Sequence, residues 1–331
     1  MIQVGIIGYG TMGQVHAQAL AEMAGVRLSA VADPDREKRA QAERAYNVPA
    51  VGDVKELLER EDLDLVDICT PTYLHEEVFK QAVQAEKHIF CEKPLARSLE
   101  EGKRIYNLTK DYGRKVGVAH VVRFFPEYVV MRESLLKGEI GRPSVVRTFR
   151  GGAQFPAGSR DWYGDFDLSG GVILDLVIHD IDYLRWLFGD VKRVYAKTTR
   201  GRTDARLEHA LIILRFKNGV IAHVEGSWAN FPGQFYTTVE IAGTSGLMTY
   251  DSRKGAPLLK IGLENGALGA GGTAVPENPS LKSPYRLELE DMITAIREDR
   301  EPAVSVKEAL ATLEVALAAL ESVKTGEVIT L

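Results

Sequence analysis

Residues 4–13 read VGIIGYGTMG, an apolar run that ends in Gly8-x-Gly10-x-x-Gly13 and then turns helical, with Val15, Ala19 and Leu20 among the apolar positions that follow. Strand, glycine turn and helix in that order form the fingerprint of a dinucleotide phosphate site. Gly8 allows the tight turn, Gly10 lets the backbone approach a pyrophosphate, and Gly13 lets helix and strand pack closely. Thr11 and Met12 fall at the helix start, where backbone N–H groups face an anion. A second apolar run, 26–32, ends in Asp33, 20 residues beyond Gly13. A carboxylate that accepts from ribose hydroxyls is expected there, and it favours NAD because it repels a 2′-phosphate. Arg36 nearby leaves NADP open. The glycines alone would be a weak signal; strand, helix and Asp33 together carry the reading.

Working outward, a chain of 331 residues is too long for one ordinary core and suggests two domains. Its 45% hydrophobic and 26% charged content describes a soluble globular protein. The net charge of −5, without a long run of one sign, argues against nucleic acid or an anionic membrane as a partner. The first strand begins almost at once, with no basic leader, and no apolar stretch has the length of a spanning helix. A cytoplasmic protein is therefore expected. Cys69 and Cys91 end apolar, strand-like runs and read as buried thiols, neither a disulfide nor a metal pair.

Through about residue 120, strand-like and helix-like segments alternate, the pattern of a doubly wound parallel sheet. Strands are expected at 3–7, 27–32, 65–69, 88–91 and 115–119, and helices at 12–24, 36–46, 54–60, 75–85 and 99–112. Beyond that, a helix at 127–137 precedes strands at 144–150, 193–199, 210–216, 220–227, 236–242 and 247–250. Consecutive strands, with a hairpin signal at Asn218-Gly219, predict an α+β domain with an open, mainly antiparallel sheet. Helices at 286–298 and 306–324 close the chain, and the Gly- and Pro-rich stretch 262–284 reads as one long loop. The expected division is a dinucleotide-binding domain at 1–121 and a substrate-binding and oligomerisation domain at 122–331.

Ligands of open α/β sheets bind beyond the carboxyl ends of the strands. Three segments gather there: the glycine turn, Thr70-Pro71-Thr72, and Glu92-Lys93-Pro94. Lys93 stands at a strand's C-terminal edge, and Pro94 biases it toward an extended backbone. His75 follows at a helix start, where it either meets the cofactor or only occupies the helix end; His16 reads as structural. A second constellation runs from Ser169 to Asp182. If it is helical, Leu174, Val177, Ile178, Ile181 and Leu184 form an apolar stripe, and Asp175, His179 and Asp182 recur on another face. Flanking carboxylates orient an imidazole and suit it to hold a proton. No third ligand accompanies this His and Asp pattern, so no metal site is expected.

Gly8-x-Gly10-x-x-Gly13, Thr70-Pro71-x-x-x-His75, Glu92-Lys93-Pro94-Leu95-Ala96 and Gly170-Gly171-x-x-x-Asp175-x-x-x-His179-x-x-Asp182 follow one another over almost the whole chain. Together they resemble the Gfo/Idh/MocA oxidoreductases, the group containing glucose–fructose oxidoreductase and inositol dehydrogenases. Thr72 is a departure, since many members have Asn after the Thr-Pro pair. The resemblance implies a Rossmann domain followed by an open-sheet domain whose sheet serves a homo-oligomer, dimer or tetramer. It also implies roles: Lys93 hydrogen-bonds the reacting hydroxyl, Asp175 positions substrate and His179 takes the proton. The expected reaction moves a hydride between a secondary alcohol of a sugar or cyclitol and the nicotinamide. Two other readings remain open, a glycoside hydrolase using bound NAD transiently and a non-catalytic nucleotide sensor. Arg123, Arg150 and Trp162 are candidate substrate contacts, placed just after the nucleotide domain or before the helix of Asp175.

Overall fold

The computed structural model describes residues 1–152, 162, 165–200, 208–229, 235–254, 258–264, 267–269 and 282–331. The first part of the chain runs β1 (Ile2–Ile7), α1 (Thr11–Ala21), β2 (Val26–Ala32), α2 (Arg36–Tyr46), β3 (Ala50–Val51), α3 (Val54–Leu58), β4 (Leu65–Ile68), α4 (His75–Gln84), β5 (His88–Glu92), α5 (Leu99–Thr109) and β6 (Val116–Ala119). All six strands pair in parallel, in the order β3-β2-β1-β4-β5-β6. The order reverses between β1 and β4, and that switch point is where such sheets bind ligands. Local chemistry sets the helix ends. Asp35 accepts the Glu37 N–H at the start of α2, Asn47 closes that helix at φ 53, and Ser98 with Glu101 forms a capping box on α5. The two-residue strand β3 is too short to show a periodic pattern in the sequence.

The rest comprises α6 (Pro126–Leu136), β7 (Pro143–Gly151), α7 (Phe166–Ser169), α8 (Ile178–Phe188), β8 (Val191–Arg200), β9 (Glu208–Phe216), β10 (Ile221–Ser227), β11 (Tyr236–Gly243), β12 (Gly246–Asp251), β13 (Leu258–Glu264), β14 (Ala267–Gly269), α9 (Pro284–Arg297), α10 (Val306–Thr325) and β15 (Ile329–Thr330). Nine of these strands form one sheet, ordered β14-β13-β12-β11-β7-β10-β9-β8-β15. Only β7 and β10 pair in parallel; the others are antiparallel, as expected for an open sheet of this class. Asn218 and Gly219 turn the β9–β10 hairpin, with Gly219 at φ +98 and the Asn218 side chain accepting the Val220 N–H. Along β9 buried and exposed positions alternate, the mark of a sheet covered on one face. The single loop expected at 262–284 is corrected in part. β13 continues through Glu264 and pairs with β14, so the ladder, not the glycine content, decides those residues. Residues 265–266 and 270–281 lie outside the described ones.

The chain divides into two compact units. The first unit contains Met1–Val121 together with Lys282–Leu313. Leu289, Met292 and Ile293 of α9 join Val4, Ile6 and Leu20 in one buried cluster, so α9 completes the core under β1 and α1. At Gly102 of α5, a Cβ would press on Leu310 and Leu313 of α10. Glu314–Leu331 belong to the second unit. Among the described residues no helix is long and apolar enough to cross a membrane.

Candidate active site

At the glycine turn each glycine answers a separate constraint. Gly8 has φ +94, and a Cβ there would stand 2.7 Å from the Cys69 carbonyl oxygen beyond β4. A Cβ on Gly13 would land on the Gly8 carbonyl oxygen, whereas Gly10 has open space on that side. Gly10 is also the N-cap of α1, and no side chain caps the helix. Open space beside an uncapped helix start, led by Thr11 and Met12, is a cradle that fits a pyrophosphate. Gly13→Ala forces backbone against backbone and is expected to cost about 1–3 kcal/mol of stability. It should also weaken NAD binding, to be read by calorimetric titration; unchanged affinity and melting would contradict the close approach.

Asp33, at the end of β2, is 5% exposed. Its Oδ2 accepts the Tyr9 N–H at 2.7 Å and its Oδ1 the Asp35 N–H at 2.8 Å. These bonds aim the carboxylate while each oxygen keeps a lone pair for a ribose hydroxyl. Arg36 is exposed on the first turn of α2, and it is Arg39 that donates to the Asp33 carbonyl, at 2.7 Å.

Thr70 and Pro71 follow β4 and are half-buried; Thr72 is buried and opens a short 3₁₀ turn. His75 is 1% exposed, with Nδ1 3.0 Å from the Pro94 carbonyl oxygen and Nε2 3.0 Å from that of Thr70. Burial lowers its pKa, and a neutral ring donates to one carbonyl at a time. The ring therefore joins the loop after β4 to the loop after β5. Both ring nitrogens of this candidate cofactor contact face the protein's own backbone. Glu92 is buried and Lys93 half-buried, and the Lys93 N–H donates to Glu92 Oε2 at 3.0 Å. The Lys93–Pro94 peptide is cis. Cys69 and Cys91 are free thiols; burial pushes both up, so neither is a reactive thiolate.

In the second unit, Asp175 lies in a π-helical turn, Ile173–Val177, that runs directly into α8. Such turns are rare and recur at functional sites. Glu208 supports the start of this segment: its Oε2 accepts the Val172 N–H at 2.8 Å, and a Cβ on Gly171 would collide with it. Val177 crosses β10 at Gly226, where a Cβ would overlap the valine methyl. From Gly171 to Arg185 every residue is buried except Asp175 and His179. These two half-buried polar side chains stand one turn apart, across the junction of the π-helical turn and α8.

Asp182 does not complete that pair as the spacing suggests. Both its oxygens accept from Arg123, Nε to Oδ2 and Nη2 to Oδ1, each at 2.7 Å. Arg123 is 5% exposed and stacks over Trp186 at 5.7 Å. Arg150 is likewise buried: its Nε donates to Asp180 Oδ2 at 2.6 Å and its Nη2 to the Tyr128 hydroxyl at 3.3 Å. Arg123 and Arg150, the candidate substrate contacts, are thus each tied into a buried ion pair. Asp180, Glu208 and these pairings carried no signal in the sequence, since an acid between apolar residues does not name its partner. Trp162 belongs to the first unit, half-buried, its ring edge-on to exposed Tyr73 at 6.2 Å.

Comparisons with known proteins agree with this geometry. The profile of the oxidoreductase family with an NAD-binding Rossmann fold, GFO_IDH_MocA, matches residues 2–120, and that of the family's C-terminal domain matches 128–249. The chain is 28% identical over 336 residues to scyllo-inositol 2-dehydrogenase (NAD(+)) of Bacillus subtilis, covering 98% of this chain and 95% of that protein. It is 30% identical over 263 residues to myo-inositol 2-dehydrogenase of Thermotoga maritima, covering 76% and 75%. The structure of levoglucosan dehydrogenase in complex with NADH and L-sorbose superposes with a TM-score of 0.90 at 25% identity, over 99% of this chain and 98% of that one. With both family domains matched over most of its length, the chain belongs to the Gfo/Idh/MocA oxidoreductases.

Proposed function

We propose that the protein is an NAD-dependent dehydrogenase that oxidises a secondary alcohol of a cyclitol or sugar to the ketone, or runs the reverse reaction. The observation that carries this reading is the exposure pattern of the helical segment, where Asp175 and His179 alone among residues 171–185 reach a surface. The inositol and levoglucosan dehydrogenases among its relatives support the substrate class. When bound, the nicotinamide exchanges a hydride with the carbinol carbon. The chain's own groups do the rest. The Lys93 ammonium donates to the reacting oxygen and stabilises its developing negative charge. His179 accepts the hydroxyl proton on oxidation and returns it on reduction. Asp175 accepts from a substrate hydroxyl and fixes the ring's orientation.

The test is reduction of NAD and, separately, NADP across a panel of inositols, monosaccharides and simple glycosides. Reduction with a cyclitol or sugar is the expected result; silence across the panel with cofactor bound rejects the dehydrogenase. Asp33 should hold NAD at least about tenfold tighter than NADP, since like charges brought together cost more than the ~1.4 kcal/mol this requires. Clear NADP preference would show Arg36 overriding it. The protein is further proposed to act in the cytoplasm as a homo-oligomer joined through the second unit's sheet. Leu211 at 46% and Ile213 at 39% exposure stand on the uncovered face of β9. Sedimentation should give a dimer or tetramer that Leu211→Lys/Ile213→Lys disperses; a wild-type monomer ends this reading.

A further inference from the structure

We propose that His16 is a positioning residue for Lys93: its imidazole, held by Asp67, faces as an ion-pair partner the Glu92 carboxylate that receives the Lys93 backbone N–H. The inference rests on Lys93 meeting the reacting hydroxyl, and it assigns a role to a buried group that the reaction itself does not use. His16 lies on α1 and is fully buried, with Nδ1 2.8 Å from Asp67 Oδ2 at the end of β4. On the opposite edge of the ring, Nε2 faces Glu92 Oε1 at 3.3 Å and Glu288 Oε1 of α9 at 3.7 Å. The other Glu92 oxygen accepts the Lys93 N–H at 3.0 Å. Cys69 Sγ lies 3.5 Å from Nδ1, and the rings of Phe90 and Tyr285 stand 6.1 and 6.4 Å from the imidazole.

Elementary electrostatics explains why a histidine belongs here. Buried carboxylates are costly unless a cation pairs with them. An imidazole is rigid and carries nitrogens on two edges, so one ring spans two acids that do not touch. Burial opposes charge on His16, but Asp67 and Cys69 together outweigh it and raise the ring well above its usual range. Burial likewise pushes against the Glu92 anion; His16 and Lys93 outweigh it and keep the carboxyl below its usual range. Burial raises Glu288 well above that range and leaves it neutral, so one cation sits between two anions. An ionised Glu92 gives Lys93 a charge-assisted bond with one preferred geometry. Without His16 the carboxylate loses one of its two counter-charges, and the anchor of the backbone that aims the lysine weakens.

The experiment compares His16→Asn, Glu92→Gln and the double variant in the full chain, following melting, NAD affinity, turnover and the Lys93 amide resonance. In His16→Asn the Lys93 amide proton should move upfield. Turnover should fall about tenfold to a hundredfold, since small misplacements of a reacting group cost that much. NAD affinity should stay within about twofold. In the Glu92→Gln background the same substitution should change turnover less than about twofold, because the two residues act as one unit. Equal losses in both backgrounds, or an unmoved Lys93 amide, would overturn the proposal. So would a stoichiometric metal in the purified protein, which would make Nε2 a ligand instead. If His16→Asn does not fold, Asp67→Asn removes the charge that holds the ring and must give the same pattern. A wild type that oxidises no polyol would defeat the functional reading, while the amide shift would still decide the role of His16.

Discussion

His179→Ala should lower turnover by about 10²–10⁴-fold, the usual worth of a positioned general base, while leaving NAD affinity within about twofold. His179 is the second residue of α8, half-buried on a segment otherwise packed shut, and Asp175 precedes it by one turn. The nucleotide cradle is built from backbone and from Asp33. Single-turnover kinetics with saturating NAD separates the outcomes. Unchanged turnover would remove His179 from the chemistry.

The second large effect is on stability. Arg123→Ala leaves the Asp182 carboxylate, itself fully buried, without its forked partner. Breaking a buried pair from one side costs about 3–5 kcal/mol, because the remaining charge is stranded in a medium that cannot solvate it. The Arg123 stem and its stacking over Trp186 are lost as well. Denaturant unfolding should show the loss, and Arg123→Leu/Asp182→Leu should recover most of it, since replacing both partners removes the stranded charge. A loss of under about 1 kcal/mol in the single variant would mean that water reaches the carboxylate.

These two residues illustrate how unevenly the chain discloses itself. His179 and Asp175 were legible because their spacing places them on one helical face and a known motif contains both. The π-helical turn under Asp175 was not, since backbone hydrogen-bond register leaves no trace in apolar periodicity. Arg123 and Arg150 looked available because charge in a sequence suggests solvent. Asp182, 59 residues from Arg123, and Asp180, 30 residues from Arg150, claim them instead. His75 offered two readings, and its bonds to the Thr70 and Pro94 carbonyls were part of neither.

The glycine turn, the alternating elements of the parallel sheet and the carboxylate after β2 were determined by the sequence alone. They are consequences of local constraint: a backbone at φ +94, a helix start with no side-chain cap, a strand buried on both faces. Tertiary structure alone decided that α9 returns to complete the core under α1. It alone joined His16 to acids on β4, β5 and α9, and closed the arginines of the second unit onto buried aspartates. Those outcomes depend on which distant side chains share a low-dielectric interior. A buried charge must find its partner wherever the fold brings one, and sequence spacing does not encode that meeting.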